Sequence, residues 1–249
     1  LWLGCLGGIV IRMSILLKGL VIIAGDFGNG KTEVAINLAV HQKAAGRKVS
    51  VADLDLVNPY FRTREARRLL AALGIELVMP DPQYLQADLP IFNPRVTGLM
   101  RDPSRLTLLD AGGGDAGVTV LAALADALPH DSVRMLLVVN PLRPYSSTPE
   151  ACLERCRKIE KAAKLAVTGI IGNANLLEDT VLEHVLAGHE FARSLSQRMG
   201  RPLEFITVPA SLLEAARPHQ FSCPVLPIYR QLVPPWRKPE PLTVPGGAA

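Results

Sequence analysis

Cysteine is sparse in this sequence: four residues in 249, Cys5, Cys152, Cys156 and Cys223. Their spacing makes no disulfide framework, and a chain long enough for a large core needs none, so a reducing, cytoplasmic setting is the simplest expectation. Charge of one sign is not in surplus either. With 27 basic and 23 acidic side chains the net charge is +4. Spread along the chain, that excess gives no footprint for a nucleic-acid partner, yet it suits a small anionic ligand. Long hydrophobic runs are also missing. The opening LWLGCLGGIVI is apolar, but Arg12 and Lys18 cut it short of the about 20 residues a spanning helix needs. It lacks the basic leader and small-residue cleavage site of a secretory signal. The natural start is expected at Met13, with residues 1–12 a non-native or disordered extension. No internal repeat, interdomain linker, nucleophile elbow or two-carboxylate glycosidase pattern is present.

What is there is aliphatic: 49% of the residues are hydrophobic, material for one large core. Apolar runs of strand length alternate with segments of helical period. Strands are expected at 20–24, 48–53, 76–78, 106–110, 134–139, 166–172 and 203–208, and helices at 31–45, 64–73, 118–127, 149–164 and 179–199. This alternation predicts an α/β fold, a doubly wound, mostly parallel sheet with helices on both faces, in a single domain over residues 13–232. Ligands of such folds sit at the carboxyl ends of the strands. Residues 80–95, with four prolines, read as a long loop, and the Pro/Gly-rich tail 233–249 as poorly ordered.

The first strand runs into GDFGNGKT, residues 25–32, and then into EVAINLAV. This is G-x-x-x-x-G-K-[ST] between a strand and a helix, the context the motif requires. Gly25, Gly28 and Gly30 let the backbone wrap so that successive N–H groups face phosphate oxygens, and the helix dipole adds to them. Lys31 brings a full charge to β- and γ-phosphates, and the Thr32 hydroxyl can ligate Mg2+. The expected ligand is therefore ATP or a close relative, with magnesium. The whole loop is expected to touch it: Gly25, Asp26, Phe27, Gly28, Asn29, Gly30, Lys31 and Thr32, with Glu33 behind.

RLTLLDAGGG delivers Asp110 to a strand end as a metal-holding acid, and Gly113, completing D-x-x-G, is placed to sense a γ-phosphate. VADLDLVNPYFRTRE carries Asp53 and Asp55 two residues apart, on one face if the strand continues. Asp55 is assigned the attacking water and Asp53 the outer metal shell, though the pattern allows the reverse. Lys31, Asp53 and Asp55 are the candidate catalytic residues; Thr32, Asp53 and Asp110 are the candidate metal ligands. Arg62 and Arg64 either neutralise γ-phosphate charge or form a solvated face with Arg67 and Arg68.

Taken together, GDFGNGKTE, DLDLVNPYFRTRE, LLDAGGGDAG, VVNPLRPYSST and GIIGNANLLEDT resemble the MinD/ParA/CobB/CobQ-type nucleotide-binding class of P-loop NTPases. The likeness is greatest to an uncharacterised bacterial branch with a D-L-D-x-V-N-P-Y-F-R motif. It implies seven or eight strands, Mg-ATP binding and, often, a nucleotide-dependent dimer. It also implies that Asn173 reads the purine and that the segment around Pro209 packs on the base; from the residues alone, Asn173 could equally close a turn. One departure stands out. The class carries a signature lysine after the first loop glycine, and here that residue is Asp26. An acid there is expected to add charge where two nucleotide faces would meet, so any homodimer is expected to form without ATP driving it.

Cys152 and Cys156 lie four apart on one helix face. They fit buried structural thiols, or half of a four-thiolate site shared by two subunits. His184 and His189 point different ways and share no metal. The function these features favour is an ATPase whose cycle switches contacts with a partner protein. The alternatives are a carboxylate-activating ligase resembling dethiobiotin or cobyrinate synthetases, with residues 83–95 lining its substrate pocket, and a nucleotide sensor that scarcely turns over.

Overall fold

An all-apolar strand has no face to offer to water, so it belongs mid-sheet with cover on both sides. Residues 20–24, LVIIA, form such a strand: none exposes more than 4% of its surface. The computed structural model describes residues 3–6, 9–12, 15–55, 63–79, 94–100, 102, 104–128, 132–217 and 220–242.

Strands β1 (Leu3–Leu6) and β2 (Ile9–Arg12) pair as an antiparallel hairpin outside the main sheet. The main fold then alternates: β3 (Leu20–Gly25), α1 (Lys31–Ala44), β4 (Val49–Asp53), α2 (Arg67–Ala72), β5 (Glu76–Val78), α3 (Pro94–Met100), β6 (Leu106–Asp110) and α4 (Gly114–Leu124). It continues with β7 (Val133–Val139), α5 (Pro149–Ala163), β8 (Gly169–Gly172), α6 (Leu182–Met199), β9 (Leu203–Pro209), α7 (Leu213–Ala216) and β10 (Val225–Ile228). The eight strands run parallel in the order β5-β4-β6-β3-β7-β8-β9-β10. From β3 the chain moves outward through β4 to β5, returns to β6, and crosses β3 to build the other half. The sheet's reversal point thus lies at the carboxyl end of β3, where a doubly wound fold opens its crevice.

Alternation along β3 splits the core in two. Leu20, Ile22 and Ala24 pack with α3, α4, α5 and α6; Val21 and Ile23 pack with α1 and α2. The doubly wound sheet covered on both faces is the one expected.

Local differences have local causes. Strand β10 (VLPI) carries Pro227, a residue that argues against a central strand; as an edge strand paired only with β9, it tolerates the missing N–H. Helix α3 starts at the end of the segment read as loop. Helix α4 starts at Gly114, four residues before the predicted Val118, because a glycine run reads as a turn and not as a helix start. Residues 233–242 of the tail do not hang free: Glu240 N–H bonds to Arg230 O at 2.9 Å, and Leu242 packs on the α1 side of the core. Among the described residues no helix is long and apolar enough to cross a membrane.

Candidate functional site

The loop after β3 is shaped by close approach. Gly30, at φ +81°, leads into α1, and a Cβ there would lie 2.3 Å from the Asn173 amide nitrogen, so a side chain would be strained and would displace Asn173. No side chain caps α1, which leaves its first-turn N–H groups for a ligand, with the positive end of the helix dipole behind them. They border a cavity of about 470 Å3 lined at this end by Phe27, Gly28, Gly30, Lys31, Thr32, Glu33 and Asp55.

Asn29 bolts the loop down. Its amide donates to Val138 O at 2.9 Å and accepts from Ser146 Oγ at 3.0 Å, while its carbonyl accepts from Asn173 Nδ2 at 2.7 Å. Phe27, 57% exposed, stands at the mouth. Lys31 is buried and donates to Asp26 O at 2.8 Å. Burial lowers its pKa, opposed by the carboxylates of Asp110, Asp55 and Asp26.

Two strand ends bring the acids in. Asp53 and Asp110 are register partners on β4 and β6. Asp110 is fully buried, and its Oδ2 accepts from Thr63 Oγ1 at 2.6 Å. Its Oδ1 is buried with no hydrogen-bond partner among the described residues. Burial, reinforced by Asp53, pushes the Asp110 carboxyl up to about 7. A buried orphan oxygen beside a second carboxylate and a hydroxyl fits a hard divalent cation, and this all-oxygen set suits Mg2+. Among the described residues no three His, Cys, Asp or Glu side chains cluster to hold a metal unaided, so phosphate and water oxygens would complete the shell. Gly113 is pressed on the loop: a Cβ there would lie 2.7 Å from Phe27 Cα and 2.9 Å from Lys31 Nζ.

Asp53 and Asp55 do not share a strand face, because β4 ends at Asp53, whose Oδ1 accepts from Asp55 N–H at 3.0 Å. Asp55 borders the cavity beside Gly112, whereas Asp53 lies behind it.

Asp26 corrects the sequence reading. Its side chain, 5% exposed, turns inward: Oδ1 accepts from Phe27 N–H at 2.8 Å and Oδ2 pairs with Arg155 Nε of α5 at 2.9 Å. The charge expected at a dimer face is neutralised inside the chain. Arg155 also reaches Asp115 Oδ1 at 3.3 Å, tying the loop to the start of α4. Sequence reasoning missed Arg155, one cation among several on a polar helix.

Glu33 lines the cavity, but its carboxylate holds the segment that follows β10. It accepts from Gln231 N at 2.8 Å, Leu232 N at 3.0 Å and Asn37 Nδ2 at 3.1 Å. Burial raises its pKa, opposed by these bonds. Asn173 and Pro209 line the far end with Asn175, Leu177, Glu178, Thr180 and Ser211, joined by Ile228, Arg230, Leu232 and Glu240 of the tail side. The Asn173 amide is spanned between Asn29 O and Thr207 Oγ1, so it braces the loop as well as facing the cavity. The tail wall was not foreseen, nor was Arg143, which arrives from the turn after β7.

Arg62, residues 83–93 and the side chains of Arg64 and Arg95 lie outside the described residues. Cys152 and Cys156 are 2% and 4% exposed on the buried face of α5, and burial pushes both thiols up to about 12. They are core thiols; a site shared across subunits finds no exposed sulfur there. His184 Nδ1 accepts from Val181 N–H, while His189 meets Ser222 Oγ at 2.9 Å and Phe221 edge-on, so the two share nothing.

No protein-family model matches the chain, and no curated protein matches its sequence. Solved structures do. A nucleotide-binding protein from Archaeoglobus fulgidus in complex with ADP is 22% identical, with a TM-score of 0.50 over 82% of this chain and 88% of that one. The septum site-determining protein MinD from Pyrococcus horikoshii, complexed with Mg-ADP, is 20% identical, with a TM-score of 0.50 over 83% and 87%. The cell division protein FtsY from Thermotoga maritima is 16% identical, with a TM-score of 0.54 over 80% of this chain but only 64% of its own length. The likeness is one of fold, a doubly wound α/β sheet.

Proposed function

We propose that this chain binds ATP with Mg2+ and hydrolyses it, using the nucleotide cycle as a switch toward a partner protein, as a cytoplasmic member of the MinD/ParA/CobB/CobQ-type class. The observation that carries the reading is the loop itself: GDFGNGKT between β3 and an uncapped α1, with Lys31 and Thr32 facing a cavity beside buried Asp110. Neighbours of the same fold that carry ADP and Mg-ADP lend support.

Each residue has a task in this reading. Lys31 exchanges its carbonyl partner for β- and γ-phosphate oxygens, a stronger, charge-assisted contact. The N–H groups of the loop and of α1 cradle the remaining oxygens, and Gly113 N–H reports the γ-phosphate. Thr32 and Asp110, with Asp53 behind, would hold Mg2+, whose charge offsets that of the phosphates when bound. Asp55, bordering the cavity, orients water for in-line attack. At the far end Asn173 and Pro209 receive the base. Adenine is favoured there over guanine, whose N1–H and amino group call for a carboxylate acceptor. Apart from Asp55, the carboxylates lining the cavity are already engaged: Glu33 by the N–H groups of Gln231 and Leu232, Glu178 by Arg230 and Arg237, Glu240 by Arg230 N–H.

Titration calorimetry with ATP and GTP in magnesium buffer, on the native chain and on Lys31→Ala, tests the assignment. ATP is expected to bind more tightly than GTP, and the substitution to weaken ATP by about 2–3 kcal/mol. Unchanged ATP affinity in Lys31→Ala would remove the phosphate-loop reading. Steady-state phosphate release, with and without added carboxylic acids, separates a switch ATPase from a ligase and from a sensor without turnover.

A further inference from the structure

The loop's second position holds an acid instead of a lysine, and that acid is consumed by Arg155. Most cations around the cavity are likewise committed: Arg230 to Glu178, Lys31 to the loop carbonyl. Arg143 is not. Among the described residues no carboxylate pairs with it, and its Nε is buried with no hydrogen-bond partner. A buried donor without an acceptor is costly unless something supplies one.

Its position says what could. Arg143 lines the same cavity as Gly28, Lys31 and Thr32. A Cβ built on Gly28 would lie 3.9 Å from Arg143 Cδ and 4.0 Å from Nε, so the guanidinium stem rests against the phosphate loop. The turn that carries it is rigid. Asn140 Oδ1 accepts from Leu142 N at 3.1 Å, Arg143 N bonds to Asn140 O at 3.1 Å, and Ser146 N bonds to Arg143 O at 3.1 Å. Ser146 Oγ is placed between Asn140 O at 2.7 Å and Asn29 Oδ1 at 3.0 Å, so turn and loop are one unit.

We propose that Arg143 is a phosphate-binding residue that supplies, from within the same chain, the cation the loop's second position lacks. The inference rests on the nucleotide reading above and adds a residue to it. The guanidinium donates to the phosphate chain beyond the α-phosphate, on the side of the loop opposite Asp110. Because the charge comes from the same chain, the nucleotide needs no second copy to neutralise it.

A ligand ladder tests this. AMP, ADP and ATP are titrated calorimetrically into the full chain, Arg143→Gln and Arg143→Lys, with ligand-free thermal melts as a folding control. ATP affinity is expected to fall roughly tenfold to a hundredfold in Arg143→Gln, with AMP affinity nearly unchanged, and Arg143→Lys is expected to recover part of the loss. Equal losses for AMP and ATP, or none for either, would overturn the proposal. Should Arg143→Gln fail to fold, the same ladder on Arg143→Lys decides: a selective ATP loss supports it and parallel losses refute it. A native chain that binds ATP and loses it in Lys31→Ala, but not in Arg143→Gln, defeats this inference alone. A native chain that binds no nucleotide defeats the functional reading instead. Sedimentation velocity with ATP, with ADP and without nucleotide checks the single-chain part, and a dimer appearing only with ATP would contradict it.

Discussion

The Asp26–Arg155 pair can be tested without any ligand. Both partners are largely withdrawn from water, at 5% and 18% side-chain exposure, and they meet at 2.9 Å. Removing one partner of a buried pair costs about 3–5 kcal/mol, because a charge is stranded. In Arg155→Met, Asp26 keeps its bond from Phe27 N–H, so a smaller loss, about 2–3 kcal/mol, is expected. In Asp26→Asn the amide oxygen can keep that bond, and Arg155 keeps Asp115, whose side chain is 96% exposed. That remaining pair is worth about 0–1 kcal/mol, and the substitution is expected to cost only about 1 kcal/mol. With both changes nothing is stranded, so the double variant should resemble Asp26→Asn. The coupling is then about 2 kcal/mol, well above the 0.3–0.5 kcal/mol or so within which independent sites add. For a chain of this size Arg155→Met should lower Tm by about 4–10 °C. Urea unfolding of the native chain, both single variants and the double variant closes the cycle. Additive losses would mean the ion pair does not form in solution, and would return Asp26 to the surface role first read from the sequence.

Two further expectations concern reactivity. Asp55→Asn should retain ATP but release phosphate at least about tenfold more slowly, the scale of a lost orienting or proton-accepting group; if Asp53→Asn alone abolishes turnover, the two roles are exchanged. Thiol labelling at pH 8 should leave Cys152 and Cys156 unmodified in the native chain. Burial pushes both up to about 12 and Cys223 to about 11, so the reactive thiolate is scarce below those values and grows only as pH rises toward them. Mass spectrometry showing prompt native labelling at Cys152 or Cys156 would contradict their place in the core.

The parts of the site visible in the sequence are those whose chemistry is local. The strand, loop and helix from Leu20 to Ala44 carry their signals within one stretch: β-aliphatic run, spaced glycines, lysine, and an apolar helix buried on nearly all sides. Asp110 is visible because an apolar strand ends on it. What escaped depends on distance through space. Arg155 looks like any solvated helix cation until α5 is laid beside the loop. Glu33 looks like a first-turn acid at the phosphate end until the tail returns to it. Whether Asp55 shares a strand face with Asp53 stays open in the sequence, because nothing local announces that β4 stops at Asp53. Strand β10 was hidden by Pro227, whose penalty vanishes only at a sheet edge, and edge position is a property of the topology.

The return of the tail bears on how the molecule is made. Glu33 grips backbone groups 198 and 199 residues downstream, and residues from Phe27 to Glu240 border one cavity. During synthesis the phosphate loop and α1 emerge about 200 residues ahead of the wall opposite them, and such distant contacts form slowly. An N-terminal fragment, however well its early strands pair, presents an open trough. A ligand filling the closed cavity stabilises only a chain that carries both walls, so occupancy doubles as a check that translation has run past β10.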